Sequence, residues 1–252
     1  MSSEMPSEMS PETPVLADVG SITTVGLDGD DTLWDSESHF VLTTKRFADL
    51  LEPWLPSLDA VEERLLDVEA HNLALLGYGA KAFTLSMIET AIEVSEGSVP
   101  AGHIREILSW GKELLDHPVE LLDGVAETVD DLAGRFRLIL VTKGDLFHQE
   151  SKVARSGLAE AFAGIDIVSE KDPETYQRVL HRHGVSPEEF LMVGNSVRSD
   201  VLPVLEIGAR AVYIPYHVTW AHETVDPERH QGFDTLSSIT QLVPYLSAGG
   251  SA

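Results

Sequence analysis

Five short runs of strand-forming residues, separated by segments of helical periodicity, are the feature that most narrows the fold of this chain. Four of the runs are almost continuously apolar, which is typical of strands buried on both faces of a sheet. The runs cover 21–27, 137–143, 164–170, 189–195 and 209–215, and the third is the weakest. Helical patterns accompany them, one of which starts at Asp172 and Pro173 and ends at Gly184. The alternation predicts an α/β fold with a parallel sheet and helices on both sides.

The segment between the first two strands breaks this rhythm. Residues 36–117 carry four helical patterns in succession and no strand pattern. We therefore expect an all-helical subdomain inserted into an α/β domain that is formed by residues 21–35 and 118–245. Its expected role is to shape access to a site rather than to supply chemistry.

The two ends of the chain differ in composition from the rest. Residues 1–20 combine acids with Ser and Pro and lack the basic start and apolar centre of a signal peptide. Too little apolar surface is present to offset the cost of ordering, so we expect a disordered leader, and a frayed tail over 246–252. No stretch is long and apolar enough to span a bilayer, which favours a cytoplasmic protein.

The charge of the chain restricts its partners. It has 17 basic and 42 acidic residues among 252, for a formal net charge of −25. Such a chain repels nucleic acid and anionic membranes, and we expect neither as a partner. Cysteine is absent, which excludes disulfides, thiolate metal sites and a thiol nucleophile. An anionic substrate would need local cations or a metal to overcome the overall field.

Polar side chains follow the predicted strands at the points where the strands end. The carboxyl ends of parallel strands share one edge of the sheet, where ligands bind. The residues concerned are, in chain order, Asp28, Asp30, Thr32, Thr142, Lys143, Gly144, Lys171, Asn195 and Asp200. We expect them to converge on one site, whereas Asp31 is expected to be a solvated or capping residue rather than a catalyst.

The two aspartates after the first strand suggest metal-assisted phosphoryl chemistry. Asp28 and Asp30 stand two apart, where their oxygens can share one hard cation, and Mg²⁺ prefers such ligands. Asn195 or Asp200 would add a third oxygen. Asp28 could then attack phosphorus, while Asp30 protonates the leaving oxygen and later deprotonates the hydrolytic water. Lys171 and the metal would offset the charge on the transferring group.

Several neighbours of these aspartates are candidate substrate contacts. Thr142, with free backbone N–H groups, would hold the phosphoryl oxygens. Thr32, Lys143 and Gly144 are candidate substrate-binding residues, although Lys143 would equally serve as a surface charge. Trp34 either wedges the helical insertion or contacts the substrate.

Two other kinds of metal site fit the sequence less well. A calcium loop that starts at Asp28 requires Gly at position 33 and Glu at position 39, where the chain has Leu33 and His39. The segment 216–223 contains His217 and His222, but their spacing is loose and no third zinc ligand is fixed. We expect that segment to be a loop that borders the pocket.

Four motifs resemble those of the haloacid dehalogenase-like hydrolase superfamily. "GLDGDDTLWD" is similar to its first motif, DxDxT after an apolar strand, and "LILVTKGD" to its second. "SEKDPETY" is similar to its third motif and "VGNSVRSDV" to its fourth. The resemblance covers nearly all of residues 21–215 in the right order. It implies a Rossmann-like core, a helical cap after the first motif, Mg²⁺, and an aspartyl-phosphate intermediate, with Asp28 as nucleophile and Asp30 as acid/base.

One departure from the family pattern leaves alternatives open. The first acid of the fourth motif is replaced by Asn195, whose amide oxygen can still ligate Mg²⁺ but carries no charge. Alternatively, Asp200 contributes more to metal binding, either directly or through a water molecule. We expect Mg²⁺-dependent hydrolysis of a small phosphorylated metabolite. The alternatives are a 2-haloacid dehalogenase, which needs no metal and which Asp30 argues against, a phosphomutase, and an inert protein that binds a phosphorylated ligand.

Overall fold

A parallel sheet forms the centre of the computed structural model, which describes residues 21–55 and 57–248. Its strand order is β3-β2-β1-β4-β5-β6, and every neighbouring pair is parallel. The strands are β1 (Thr24–Leu27), β2 (Arg137–Lys143), β3 (Gly164–Val168), β4 (Phe190–Gly194), β5 (Arg210–Tyr213) and β6 (Asp234–Thr235). The first five confirm the predicted runs and the predicted α/β Rossmann-like class. The sixth was missed because two residues leave no pattern.

Helices cover both faces of this sheet. They are α5 (Val125–Ala133), α6 (Leu146–Ser156), α7 (Pro173–His183), α8 (Leu202–Glu206) and α9 (Leu242–Ala248). Leu138 and Leu140 of β2 pack with α5 and α9 in one apolar cluster, whereas Ile139 and Val141 pack with α7 and α8 in another. Successive residues of a strand point to opposite faces, so the continuous apolar run is explained by burial on both sides.

Helix α7 begins and ends where the sequence predicts. Asp172 accepts a hydrogen bond from Thr175 N at 2.7 Å, Pro173 occupies the first turn, and Gly184 ends the helix with a φ of 66°. Helix α6 was not predicted, because its buried face includes His148, Gln149 and Lys152 and therefore shows little apolar periodicity.

Four consecutive helices lie between β1 and α5, as the sequence predicts. They are α1 (Glu37–Leu51), α2 (Leu58–Leu76), α3 (Ala80–Val94) and α4 (Ala101–Asp116), called here the four-helix block. The block has an apolar cluster of its own, in which Phe47, Leu65, Met87 and Ile107 are almost fully buried. The block is therefore held together by its own packing and faces the sheet edge as a unit.

The C-terminal prediction needs a correction. Helix α9 continues to Ala248, and Leu246 is 1% exposed because it packs into the cluster under α5. The expectation of a frayed tail is therefore wrong for residues 246–248, while 249–252 and the predicted leader 1–20 lie outside the described residues. Among the helices that are described, none has the length and apolarity needed to cross a membrane.

Candidate active site

Asp28 stands at the end of β1, where a lysine links it to a second carboxylate. Its backbone N–H donates to Val193 O of β4 at 3.0 Å, which fixes the side chain at the edge of the sheet. Lys171 Nζ lies 2.5 Å from Asp28 Oδ1 and 2.6 Å from Asp200 Oδ1. Burial raises the pKa of Asp28 to about 7 although Lys171 opposes this shift. Burial disfavours the Lys171 cation, but the two carboxylates outweigh it and raise the lysine's pKa.

Asp30 is held by three donors. Trp34 Nε1 lies 2.6 Å from Oδ1, Lys152 Nζ lies 2.8 Å from Oδ1, and Gln149 Nε2 lies 2.9 Å from Oδ2. Burial works against the charged form, yet Lys152 and the three hydrogen bonds outweigh it and lower the pKa of Asp30. The free protein therefore holds Asp30 as a carboxylate at neutral pH.

Asn195 lies directly beside both aspartates. In the amide orientation that places Nδ2 towards these acceptors, Nδ2 donates to Asp28 Oδ2 at 3.1 Å, to Asp30 O at 3.2 Å and to Thr32 Oγ1 at 3.3 Å. In the other orientation the amide oxygen accepts a hydrogen bond from Thr32 Oγ1 at 3.3 Å and faces the acceptor oxygens of Asp28 and Asp30. Carboxylate, carbonyl and amide oxygens are ligands that suit Mg²⁺, so this orientation is compatible with a bound cation.

The oxygen atoms that could bind a cation beside Asp28 carry little negative charge. No group of three or more His, Asp or Glu side chains that could hold a metal occurs in the described part of the chain. Asp200 does not supply the missing charge directly, because Lys171 binds its Oδ1 and Ser196 N donates to its Oδ2 at 3.0 Å. The geometry thus places Asn195, rather than Asp200, next to Asp28 and the carbonyl of Asp30.

Thr142 and Gln149 present polar atoms to the site that have no protein partner. Thr142 at the end of β2 is 1% exposed, and its Oγ1 makes no hydrogen bond within the described residues. The same holds for Oε1 of Gln149, which is 3% exposed. A buried polar atom left unsatisfied costs about 1–3 kcal/mol, so both atoms are suited to a ligand.

Lys143 is enclosed rather than a surface charge. Its ammonium contacts Glu223, lies 3.1 Å from Ser199 Oγ and 3.4 Å from Glu170 Oε1, and sits 4.0 Å from the ring centre of Tyr78. Burial acts against the Glu223 carboxylate, but Lys143 overcomes it and holds the pKa of Glu223 at about 2. The charge of Lys143 is therefore largely neutralised before any ligand binds.

The segment 216–223 borders the site, as expected, through Trp220 and Glu223. Its two histidines have other roles. His217 Nε2 lies 3.4 Å from Ser38 Oγ, and His222 O accepts a hydrogen bond from Arg198.

Three predicted substrate contacts do not face the cavity. Trp34 is fully buried in the core and reaches the site only through its bond to Asp30. Thr32 is 2% exposed and bonds with Asn195, and Gly144 packs against Gln149. Being close in sequence to the strand ends places these residues near the site, but their side chains belong to its supporting layer.

A cavity of about 600 Å³ separates the four-helix block from the sheet edge. Of the predicted site residues, those that line it are Asp28, Asp30, Thr142, Lys143, Lys171, Asn195 and Asp200. Eleven carboxylates and three lysines lie on its described wall. Four residues of the wall could not be predicted because no motif marks them, namely Gln149 and Lys152 on α6 and Glu37 and Glu69 on the block.

Asp31 caps a helix, as predicted. Its Oδ1 accepts hydrogen bonds from the backbone N–H groups of Ser36 at 2.9 Å and Glu37 at 3.0 Å, at the start of α1. Burial, assisted by the charge of Asp30, raises the pKa of Asp31 to about 7.

The chain belongs to the haloacid dehalogenase-like hydrolases, because the model of that family matches residues 22–208. It is also similar to a haloacid dehalogenase-like family hydrolase from Xanthomonas campestris. The crystal structure of that protein is 42% identical, covers 94% of this chain and 97% of that chain, and gives a TM-score of 0.80. The resemblance inferred from the four motifs is thereby confirmed.

Two proteins named as phosphatases are more distant relatives. N-acylneuraminate-9-phosphatase of Mus musculus is 28% identical over 130 residues, which is 49% of this chain and 52% of that protein. Phosphoserine phosphatase of Thermus thermophilus is 34% identical over 82 residues, which is 31% of this chain and 33% of that protein. The chain thus matches only about half or a third of the length of these relatives.

Proposed function

We propose that the chain hydrolyses a small phosphomonoester with the help of Mg²⁺, through a phosphate bound covalently to Asp28. The observation that carries this proposal is the convergence of Asp28, Asp30, Lys171 and the unpartnered hydroxyl of Thr142 on one cavity. The two phosphatase relatives support the same chemistry. A small phosphorylated metabolite is the proposed partner, and the cytoplasm the proposed location.

In the proposed reaction a carboxylate oxygen of Asp28 forms a bond to phosphorus as the bond to the leaving oxygen breaks. Lys171 is placed to offset negative charge at the phosphoryl group, and the Thr142 hydroxyl to donate to one of its oxygens. Asp30, held ionised by its three donors, then accepts a proton from the water that hydrolyses the aspartyl phosphate. For the first step Asp30 takes up a proton as the substrate phosphate binds, because the added negative charge opposes the donors that lower its pKa, and it gives that proton to the leaving oxygen. The proton that Asp30 then accepts from water replaces it, so protons balance over the cycle.

The residues beside Asp28 fit a divalent cation. Asp28, Asn195 and the backbone carbonyl of Asp30 would hold it. When bound, the cation supplies positive charge that offsets the repulsion between the substrate phosphate and the carboxylates. Because Asn195 is neutral, we expect weaker metal binding than an aspartate at this position would give.

We further propose that the four-helix block acts as a cap. In this division residues 36–117 form the cap, and residues 21–35 with 118–245 form the catalytic core. The block closes one side of the cavity, where it would exclude water and select the leaving group.

One assay tests the proposed function and separates it from its rivals. Turnover of p-nitrophenyl phosphate would be measured with Mg²⁺, with EDTA, and in Asp28→Asn, with the exposed Asp130→Asn as matched control. We expect activity only with metal, its loss in Asp28→Asn, and its retention in Asp130→Asn.

Three other results would overturn the proposal. Halide release from 2-chloropropionate without metal would instead assign a dehalogenase on the same fold. Phosphate transfer between positions of a sugar phosphate without net release would assign a mutase. Binding of phosphomonoesters without turnover in a folded protein would assign an inert binding protein.

A further inference from the structure

Two carboxylates of the four-helix block face the cavity without a cation to neutralise them. Glu37 begins α1 and Glu69 lies in α2, and both line the cavity that contains Asp28. Within residues 21–55 and 57–248 neither forms an ion pair. The Trp220 side chain favours the charged form of Glu69, against the effect of burial.

The charged forms of these two carboxylates are destabilised by burial and by neighbouring negative charges. Burial raises the pKa of Glu37 to about 8, with the charges of Asp31 and Glu69 adding to the shift. Burial likewise raises the pKa of Glu69 to about 7. Two acids that repel each other on a half-buried wall are most readily stabilised in their charged forms by a cation placed between them.

Each lysine on the described wall of the cavity is paired with another carboxylate. Lys143 contacts Glu223, Lys171 contacts Asp28 together with a second aspartate, and Lys152 contacts Asp30. The charge of Lys152 opposes the rise in the Glu37 pKa without cancelling it. A bound phosphate would add further negative charge. A cation that stabilises the charged forms of these two glutamates would therefore have to come from the ligand or be a bound ion.

A second, independent observation points to a ligand that donates hydrogen bonds. Gln149 commits its Nε2 to Asp30 Oδ2 and to Lys143 O, which leaves its buried Oε1 as an acceptor without a donor on the described wall. Apolar side chains lie one helical turn from each glutamate, Phe40 after Glu37 and Leu65 before Glu69, and both line the cavity. The wall thus combines acceptors with surface for a short hydrocarbon chain.

We propose that the leaving group of the substrate carries a protonated amine that binds between Glu37 and Glu69, so that the substrate class is an aminoalkyl phosphomonoester. This inference rests on the proposed phosphatase function. It makes Glu37 and Glu69 specificity-determining residues, since they contact the leaving group at a distance from the bond that breaks.

The test compares substrates that differ only at the far end. ω-Aminoalkyl phosphates of increasing length, starting from 2-aminoethyl phosphate, are paired with n-alkyl phosphates in which a methyl group replaces the ammonium. At the best length we expect kcat/KM to favour the amine by roughly tenfold or more, the value of one charge-assisted hydrogen bond or ion pair. Glu37→Gln and Glu69→Gln should bring this ratio towards unity, whereas Glu52→Gln, at an exposed position at the end of α1, should preserve it.

A binding measurement separates this inference from the proposed function. Calorimetric titration of Asp28→Asn with n-alkylamines and with the matching alcohols needs no turnover. Amine binding that is lost in Asp28→Asn/Glu69→Gln, with the fold verified by thermal melting, supports the amine site. Metal-dependent, Asp28-dependent turnover with equal rates on amine and methyl substrates would overturn the inference and leave the phosphatase standing. Binding of Mg²⁺ alone, abolished by Glu37→Gln and Glu69→Gln, would overturn it in favour of a metal ion at this pair.

Discussion

Replacing Lys152 by methionine removes one positive charge from Asp30 while keeping an unbranched side chain of similar size. Lys152 Nζ donates to Asp30 Oδ1 at 2.8 Å and to Ser36 Oγ at 3.1 Å. In the variant Asp30 keeps Trp34 and Gln149 as donors but loses its only ion-pair partner within the described residues.

The expected loss of stability follows from this geometry. Removing one partner of a fully buried ion pair costs about 3–5 kcal/mol. Here the Asp30 side chain is 29% exposed, so water and the two remaining donors compensate in part. We therefore expect a loss of about 2 kcal/mol, the value of one charge-assisted hydrogen bond. For a chain of this size that lowers Tm by about 4–8 °C.

The pH dependence has a definite sign. The folded-state pKa of Asp30 is lowered, since Lys152 and the hydrogen bonds overcome the effect of burial. The stabilisation is therefore complete above the unfolded-state pKa, about 3.9, and is lost as the pH falls through the folded-state value. The difference in Tm between wild type and Lys152→Met should be largest near neutral pH and should shrink below about pH 4.

Scanning calorimetry in EDTA is the appropriate assay, because a bound cation would itself shift Tm. Lys112→Met, at an exposed lysine of α4, is the matched control and should melt with the wild type. Equal melting of Lys152→Met and wild type at neutral pH, or an equal loss in Lys112→Met, would refute the reasoning.

Three further predictions concern helix packing inside the four-helix block, a buried ion pair at β3, and the pKa of Asp30. Gly111→Ala should lower the free energy of unfolding by about 1–3 kcal/mol, because the new methyl would lie 2.1 Å from Thr84 Oγ1. In the control Gly102→Ala the methyl meets nothing within 4 Å, so the free energy of unfolding should rise by up to about 1 kcal/mol. Equal values for the two variants in urea unfolding would contradict this. Asp166→Asn, at a buried carboxylate bonded to an arginine and a histidine of α7, should cost about 2 kcal/mol, and an unchanged urea midpoint would contradict it. Trp34→Phe removes a donor and should raise the pKa of Asp30, which an NMR titration of that carboxyl would follow; an unchanged pKa would contradict the role of Trp34 as a donor to Asp30.

The sheet could be predicted from sequence because strands buried on both faces consist of continuous apolar residues. Helix α7 could be placed because Asp172, Pro173 and Gly184 mark its ends by local chemistry. Helix α6 could not, since much of its buried face is polar and the partners of that face come from other parts of the fold.

Some residues of the candidate site could likewise be predicted from sequence, and others could not. Residues that directly follow a strand, such as Asp28 and Asn195, could be predicted to meet because parallel topology brings strand ends together. Lys152 and Glu69 could not, because their positions depend on how helices pack against the sheet edge. Trp34 was assigned to the substrate from proximity alone, and burial assigns it to the support of Asp30.

The chain enters the four-helix block at Ser36 and leaves it at His117, and the block has its own apolar interior. Substitutions inside the block can therefore reshape one wall of the cavity while the groups that break the bond keep their positions. If the proposed function holds, leaving-group preference and bond cleavage should therefore be traits that are separable by mutation. Grafting the corresponding helices of the Xanthomonas campestris relative between these two crossings offers a direct way to exchange the first trait without rebuilding the second.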